Sequence, residues 1–202
     1  MMKLHWSPKS PFVRKVMICA HELGLVSQLE LVRSVAAMLR PNAQIMADNP
    51  LSKIPTLVLD DGQALFDSVV ICEYLDTLGG GTLFPREGDA RWQALTWHAL
   101  GTGLLDVLIL WRNEREREVP LPALMDAFAL KTEACLALLE KQIDALSAAP
   151  LNIGSIAIGC ALGYADFRFA ALQWRDRAPR LAQWFETLRE RPSFVATEVA
   201  EG

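Results

Sequence analysis

Asn49-Pro50-Leu51-Ser52-Lys53-Ile54-Pro55-Thr56-Leu57, followed after a short turn by Leu65-Phe66-Asp67-Ser68, is the stretch that decides the reading of this chain. Pro55 stands directly before a β-branched, apolar strand start. Proline is tolerated there because its missing N–H need not join the ladder. X-Pro bonds are also the one common setting for a cis peptide, and a cis Ile54-Pro55 bond is expected to turn the Ile54 N–H and C=O outward. The polar pair Asp67-Ser68 stands where a helix begins. Together these features suit the binding of an extended, anionic peptide.

Working outward from this stretch, residues 3–6 read as a strand, and Ser10-Pro11 opens a helix with Ser as N-cap and Pro at its first position. Phe12, Val13, Val16, Met17, Ala20 and Leu23 recur at helical spacing, and Gly24 supplies the stop. Residues 29–32 form a second strand, followed by a polar loop with Pro41, Asn42, Asp48 and Pro50. Residues 56–59 and 64–66 form a hairpin about Asp60-Asp61-Gly62, and residues 68–78 are again helical. The order β-α-β then β-β-α predicts a small mixed sheet covered by helices. Residues 79–90, with Gly79-Gly80-Gly81, Pro85 and Gly88, have linker composition. Residues 91–202 read as an all-helical domain: one helix carrying Trp92 to Trp111, then helices over 122–146, 155–169 and 179–189.

Of the 202 residues, 51% are apolar, enough for a sizeable core, and the net charge is −4 with both signs interspersed. That balance excludes a nucleic-acid footprint, which needs a basic face. The four cysteines, at 19, 72, 135 and 160, lie far apart in apolar stretches and read as reduced core residues. The N-terminus lacks the apolar core of a signal peptide, so a cytoplasmic location is expected. Residues 145–165 carry no charge, but Pro150, Asn152 and three glycines interrupt them, which predicts a buried helix rather than a membrane span. No metal-ligand pattern is present, and no metal or cofactor is expected.

Ser10-Pro11-Phe12-Val13-Arg14-Lys15-Val16, Asn49-Pro50 through Pro55-Thr56-Leu57, Phe66-Asp67-Ser68 and Arg191-Pro192-Ser193-Phe194 occur in this order over nearly the whole chain. In these respects the chain resembles the cytosolic glutathione transferase family, of the bacterial type with Ser at the first-helix position. The resemblance implies an α/β plus all-α architecture: a thioredoxin-like domain of β-α-β-α-β-β-α type over 1–78 and a C-terminal helical bundle. It also implies glutathione as co-substrate, a hydrophobic electrophile as second substrate, a role in detoxification and a twofold homodimer with Tyr74 and Arg91-Trp92 near its interface. The family's usual Ser/Thr-x-x-Asp capping box is replaced here by Asn152-Ile153-Gly154-Ser155, which leaves the Asn N-cap without an acidic partner.

The resemblance assigns Ser10 as the group that hydrogen-bonds the glutathione sulfur and favours its thiolate, beside the positive end of the helix dipole. From residues alone, Ser10 reads first as a simple N-cap, and Ser7 is the alternative donor. A glutaredoxin-like Cys-Pro-x-Cys is absent, which excludes disulfide exchange through a protein thiol at this point. Ile54 would hold the cysteinyl backbone as an added strand. Asp67 would pair with the γ-glutamyl ammonium, Ser68 would bind its carboxylate, and Lys53 would meet the glycyl carboxylate. As residues, Asp67 and Ser68 could be mere caps and Lys53 a solvated cation. Trp6, Pro8 and Phe12, with Trp111 and Arg115, are the residues for an electrophile wall, or else simply core. Asp166 reads as a carboxylate paired with an arginine.

Overall fold

A computed structural model of the chain describes residues 1–201. It consists of two compact units, one formed by Met1–Arg91 with the segment from Pro192 onward, the other by Trp92–Arg191.

The first unit follows the expected element order. It comprises β1 (Met2–Trp6), α1 (Pro11–Glu22), β2 (Leu29–Arg33), α2 (Ala43–Met46), β3 (Thr56–Val58), β4 (Ala64–Leu65) and α3 (Ser68–Leu78). The sheet order is β2-β1-β3-β4. β1 runs parallel to β2, with Met2 opposite Leu29, and antiparallel to β3, with His5 opposite Thr56. A parallel pair needs a crossover, and α1 provides it. Ser10 caps α1 by accepting from Val13 N at 3.3 Å, and Pro11 occupies the first turn. Leu4, Val16, Ile18, Leu57, Ile71 and Leu75 have no exposed surface and form the centre of this core. Each contributes roughly 1.5–3 kcal/mol by burial.

Two segments hold tighter than their composition suggests. The glycine-rich stretch after α3 is anchored by Asp76, 4% exposed, whose carboxylate accepts from Thr82 N (2.9 Å), Leu83 N (2.7 Å) and Phe84 N (3.2 Å). The chain end returns to α1 through α10 (Pro192–Ala196). There Arg14 donates to the Phe194 carbonyl at 3.3 Å and lies over its ring, and Ser193 Oγ donates to Glu22.

The second unit is helical, built from α4 (Gly88–Arg115, whose first turn lies in the first unit), α5 (Pro122–Lys141), α6 (Ile143–Ala148), α7 (Ile153–Arg168), α8 (Trp174–Arg177) and α9 (Pro179–Arg189). The single helix expected over 122–146 breaks at Gln142, whose side chain accepts from Trp97 Nε1 at 2.9 Å. The buried helix expected from 155 begins at Ile153 and carries a complete capping box without an acid. Asn152 Oδ1 accepts from Gly154 N and Ser155 N, and Ser155 Oγ accepts from Asn152 N at 3.0 Å. The expected weakness of this cap is therefore corrected: a hydroxyl reaches back as a carboxylate would. Asp166 does pair with an arginine, Arg175 at 2.7 Å, and also accepts from Trp174 Nε1 at 2.8 Å, which fixes α8. The Asp166 and Glu186 carboxylates raise the Arg175 pKa against the opposing effect of burial.

α4 and α7 approach backbone to backbone. A Cβ on Gly101 would lie 2.6 Å from the Ala157 carbonyl carbon and the Ile158 nitrogen, and one on Gly154 would lie 2.6 Å from the Ala94 carbonyl oxygen. By length and composition α4 could cross a bilayer, as could α7 taken together with the bent segment Ala170–Arg177 that follows it, and 44% of the most apolar window of α4 is buried within the protein. Cys19, Cys72 and Cys160 are buried, whereas Cys135 is only half-buried on α5, which corrects its reading as a core residue.

Gly101→Ala should destabilise the protein by about 1–3 kcal/mol, because backbone atoms cannot give way to the added methyl. Gly103→Ala, on the same helix with open space around it, should be neutral or stabilising by up to about 1 kcal/mol through helix propensity. Urea unfolding of both variants checks the contrast. Burial raises the Cys135 thiol pKa, so the unfolded chain ionises this thiol at lower pH than the folded one, and its contribution to stability falls as pH rises above the ordinary thiol value. In a thiol-reagent titration, Cys135 should react slowly in the native protein, and the other three cysteines only after denaturation.

Candidate functional site

β3 is antiparallel to β1, so the start of β3 lies beside the carboxyl end of β1, as His5 opposite Thr56 records. β4 is antiparallel to β3, with Leu65 opposite Leu57, so the chain leaves β4 at that same end. Three segments therefore converge there: Trp6 to Ser10 leaving β1, Lys53-Ile54-Pro55 entering β3, and Phe66-Asp67-Ser68 leaving β4. The sheet register brings the segments that carry Ser10, Ile54 and Asp67, which are far apart in the chain, to one end of the sheet.

Ser10 is half-buried and spends an acceptor lone pair on Val13 N, so its O–H proton is free to be donated. Ser7 closes a turn with it: Ser10 N donates to the Ser7 carbonyl at 3.2 Å, while Ser7 Oγ accepts from Lys9 N at 3.4 Å. Both hydroxyls thus remain donors. Trp6 is half-buried with Arg33 5.6 Å from its ring centroid, and Phe12 is half-buried with Lys15 5.9 Å from its ring. Pro8, also half-buried, accepts from Ala200 N at 3.4 Å.

The Ile54-Pro55 bond is cis, as expected, and Phe66-Asp67 is cis as well. Neither backbone group of Ile54 has a hydrogen-bond partner within the described residues. The residue before it is held firmly. The Lys53 carbonyl accepts from Asn49 Nδ2 at 3.3 Å and from Thr56 Oγ1 at 2.9 Å, and Asn49 Nδ2 also donates to Thr56 Oγ1 at 2.9 Å. Asn49 Oδ1 accepts from Leu51 N at 3.0 Å. Ser52 takes the left-handed φ of 53°, and its hydroxyl accepts from Asn42 N at 2.8 Å. The Lys53 side chain is exposed.

Asp67 is the N-cap of α3, accepting from Val69 N at 2.9 Å, and is exposed to solvent. Ser68, at the first position of α3, is only 1% exposed, so its side chain is covered while the start of the helix keeps free N–H groups. In the second unit Trp111 is 8% exposed and stacks on Phe169 at 4.9 Å between centroids. Arg115 lies 4.7 Å from the same ring and donates to the Arg168 carbonyl at 3.1 Å. These two form one aromatic cluster with Phe169.

The residues that brace the loop, Asn49, Thr56, His5 and Asp48, are the ones to which the sequence assigned no role. A polar residue at an inward strand position, such as His5 between Leu4 and Trp6, is the one signal that could have drawn attention to them. Two cavities, of about 450 Å³ between α6 and α9 and about 570 Å³ around Met1, Asp60 and Tyr74, contain none of the sequence-predicted site residues. Among the described residues, no group of three or more His, Cys, Asp or Glu side chains is arranged to hold a metal ion.

Residues 9–78 match the glutathione S-transferase N-terminal domain and residues 122–187 its C-terminal domain. The chain is 31% identical over 202 residues to the uncharacterized GST-like protein YibF of Escherichia coli (strain K12), covering 98% of each. A glutathione transferase family member from Pseudomonas fluorescens Pf-5, crystallised with bound glutathione, superposes with a TM-score of 0.96 at 41% identity over the full length of both chains. A crystal structure of a family member from the same source with S-(propanoic acid)-glutathione gives a TM-score of 0.91 at 40% identity, again over both full lengths. Convergence of the three motif segments at one end of a thioredoxin-like sheet, followed by a helical unit, thus agrees with sequence similarity along the whole chain, which belongs to the glutathione transferase family.

Proposed function

We propose that the protein is a glutathione transferase that binds the tripeptide on its first domain and activates the thiol for attack on a hydrophobic electrophile. The observation that carries this reading is Ile54, whose N–H and C=O stand unpaired at the edge of the motif cluster, next to a braced Lys53. A peptide running antiparallel to this residue would satisfy both groups. Asp67 at the start of α3 takes the γ-glutamyl ammonium, and the free amides of that helix start take its carboxylate. The covered side chain of Ser68 shifts this last role to the backbone. Lys53 meets the glycyl carboxylate.

Ser10 donates its free O–H to the glutathione sulfur. One charge-assisted hydrogen bond, of roughly 1.5–3 kcal/mol, corresponds to a thiol pKa lowered by about one to two units. The thiolate then attacks the electrophile, and Trp6, Pro8 and Phe12 are the residues proposed for that substrate on the first domain. The Pseudomonas fluorescens complex with S-(propanoic acid)-glutathione makes a three-carbon carboxylate carried on sulfur a suitable first product to assay. The same residues would serve a glutathione-dependent peroxidase. The protein is proposed to be a cytoplasmic detoxification enzyme without metal, nucleic-acid or membrane partners. It is also proposed to be a homodimer, a reading supported by the 67% exposure of Trp92. A non-catalytic, protein-binding member of the family would not need the Ser10 proton, the unpaired Ile54 and Asp67 together.

Asp67→Asn keeps an acceptor for the α3 cap but removes the charge opposite the ammonium. Calorimetry should show glutathione affinity weakened by about 1.5–3 kcal/mol with thermal stability retained; unchanged affinity would remove Asp67 from the site. Ser10→Ala should raise the pKa of bound glutathione and lower turnover at neutral pH by about ten- to a hundredfold. The affinity should be nearly intact, and the defect should shrink as pH rises and the thiol ionises unaided. Thiolate absorbance and turnover with chlorodinitrobenzene across the alkaline range test this. Equal pKa values in the two proteins would transfer the role to Ser7 or to backbone donors.

A further inference from the structure

His5 is a buried titratable group for which the proposed chemistry has no use. Its ring Nδ1 lies 2.8 Å from Ser34 Oγ and its Nε2 lies 2.8 Å from Asp48 Oδ2. Ser34 is where the chain leaves β2, and Asp48 follows α2, so one imidazole holds both ends of the excursion between them. His5 also stands opposite Thr56 in the β1–β3 ladder, and Thr56 Oγ1 accepts from Asn49 Nδ2. The consecutive residues Asp48 and Asn49 are thereby fastened to two cross-strand partners. From that fixed point Asn49 holds the Lys53 carbonyl, the last fastened group before Ile54.

The packing of α2 does not require these polar pins, because Ile45, with no exposed surface, already anchors it. What they set is the path of residues 49–54. That path has little ladder support: the one isolated bridge in the excursion joins Ala37 to Arg40, well before Asp48. A tilt of the segment at residue 48 would carry straight into the Ile54 backbone.

We infer that the His5–Asp48 pair is a positioning device for the glutathione-binding backbone at Ile54, an inference that rests on the function proposed above. The arrangement is that of an acid, an imidazole and a hydroxyl in a row, but Ser34 is 2% exposed and cannot meet a substrate. The row acts through the loop. Ser34 Oγ also donates to the Val32 carbonyl at 3.1 Å, which ties the Ser34 end of the row to β2. The Asp48 side chain is 32% exposed, so shortening it opens no internal cavity.

The test compares Asp48→Ala, which removes the acceptor, with Asp48→Asn, which keeps one. Asp48→Ala should raise the Kd for glutathione about tenfold while kcat at saturating glutathione stays within about twofold. Asp48→Asn should recover most of the affinity, and amides of residues 49–54 should exchange faster in Asp48→Ala while those of α1 do not. Unchanged Kd in folded Asp48→Ala would overturn the inference, as would equal loss of Kd, kcat and thermal stability in both variants, the mark of a merely structural role. If the wild type binds no glutathione, the proposed function falls, and exchange at residues 49–54 decides this inference alone: equal rates in wild type and Asp48→Ala overturn it.

Discussion

The side chain of Asn49, in a residue 1% exposed, carries the hydrogen bonds on which the ligand-facing edge of the sheet depends. Between α2 and β3 the backbone is in neither helix nor ladder, so its carbonyl and N–H groups find no partners in regular structure. One primary amide takes up two of them, Leu51 N on its oxygen and Lys53 O on its nitrogen, and its nitrogen also donates to Thr56 Oγ1. Because Asn49 satisfies the residues around Ile54 and not Ile54 itself, the segment is rigid up to the point where a ligand would join it. Order on one side and vacancy on the other suit added-strand recognition.

The same device recurs at three other places where the chain leaves regular structure. Asp76 collects three backbone N–H groups of the glycine-rich stretch, so a segment with linker composition is firmly held. Asn152 and Ser155 exchange bonds at the head of the most buried helix, where an uncapped N-terminus would have no water to turn to. Asp166 gathers Trp174 and Arg175 and so orders a helix of four residues that propensity alone would not form. Short polar side chains therefore fix the connections, and apolar burial fixes the layers.

Glycine has a separate part in the helical unit. At Gly101 and Gly154 it is not the backbone dihedral that requires the absence of a side chain but the approach of a neighbouring helix, with carbonyl or peptide atoms 2.6 Å from where a Cβ would stand. The close crossing lets α7 cover its first ten residues completely and makes it the spine of the second unit.

Much of this was legible in the sequence, because it rests on local rules. Ser10-Pro11 marks a helix start through cap chemistry and a fixed φ, residues 68–78 and 179–189 carry helical periodicity between clear stops, and the turn at Asp60-Asp61-Gly62 signals a hairpin. Their physical causes lie within a few residues of one another, and the order of motifs that identifies the family is read directly along the chain. Tertiary structure alone decided the break at Gln142, where a distant Trp97 claims the side chain, and the half-exposure of Cys135, which depends on what packs against α5. It also decided the covering of Ser68 and the row from Ser34 through His5 to Asp48. Each of these is a contact between residues that the sheet register or a helix crossing brings together, and the energy of a buried polar group depends on whether a partner arrives there. No local pattern records that arrival.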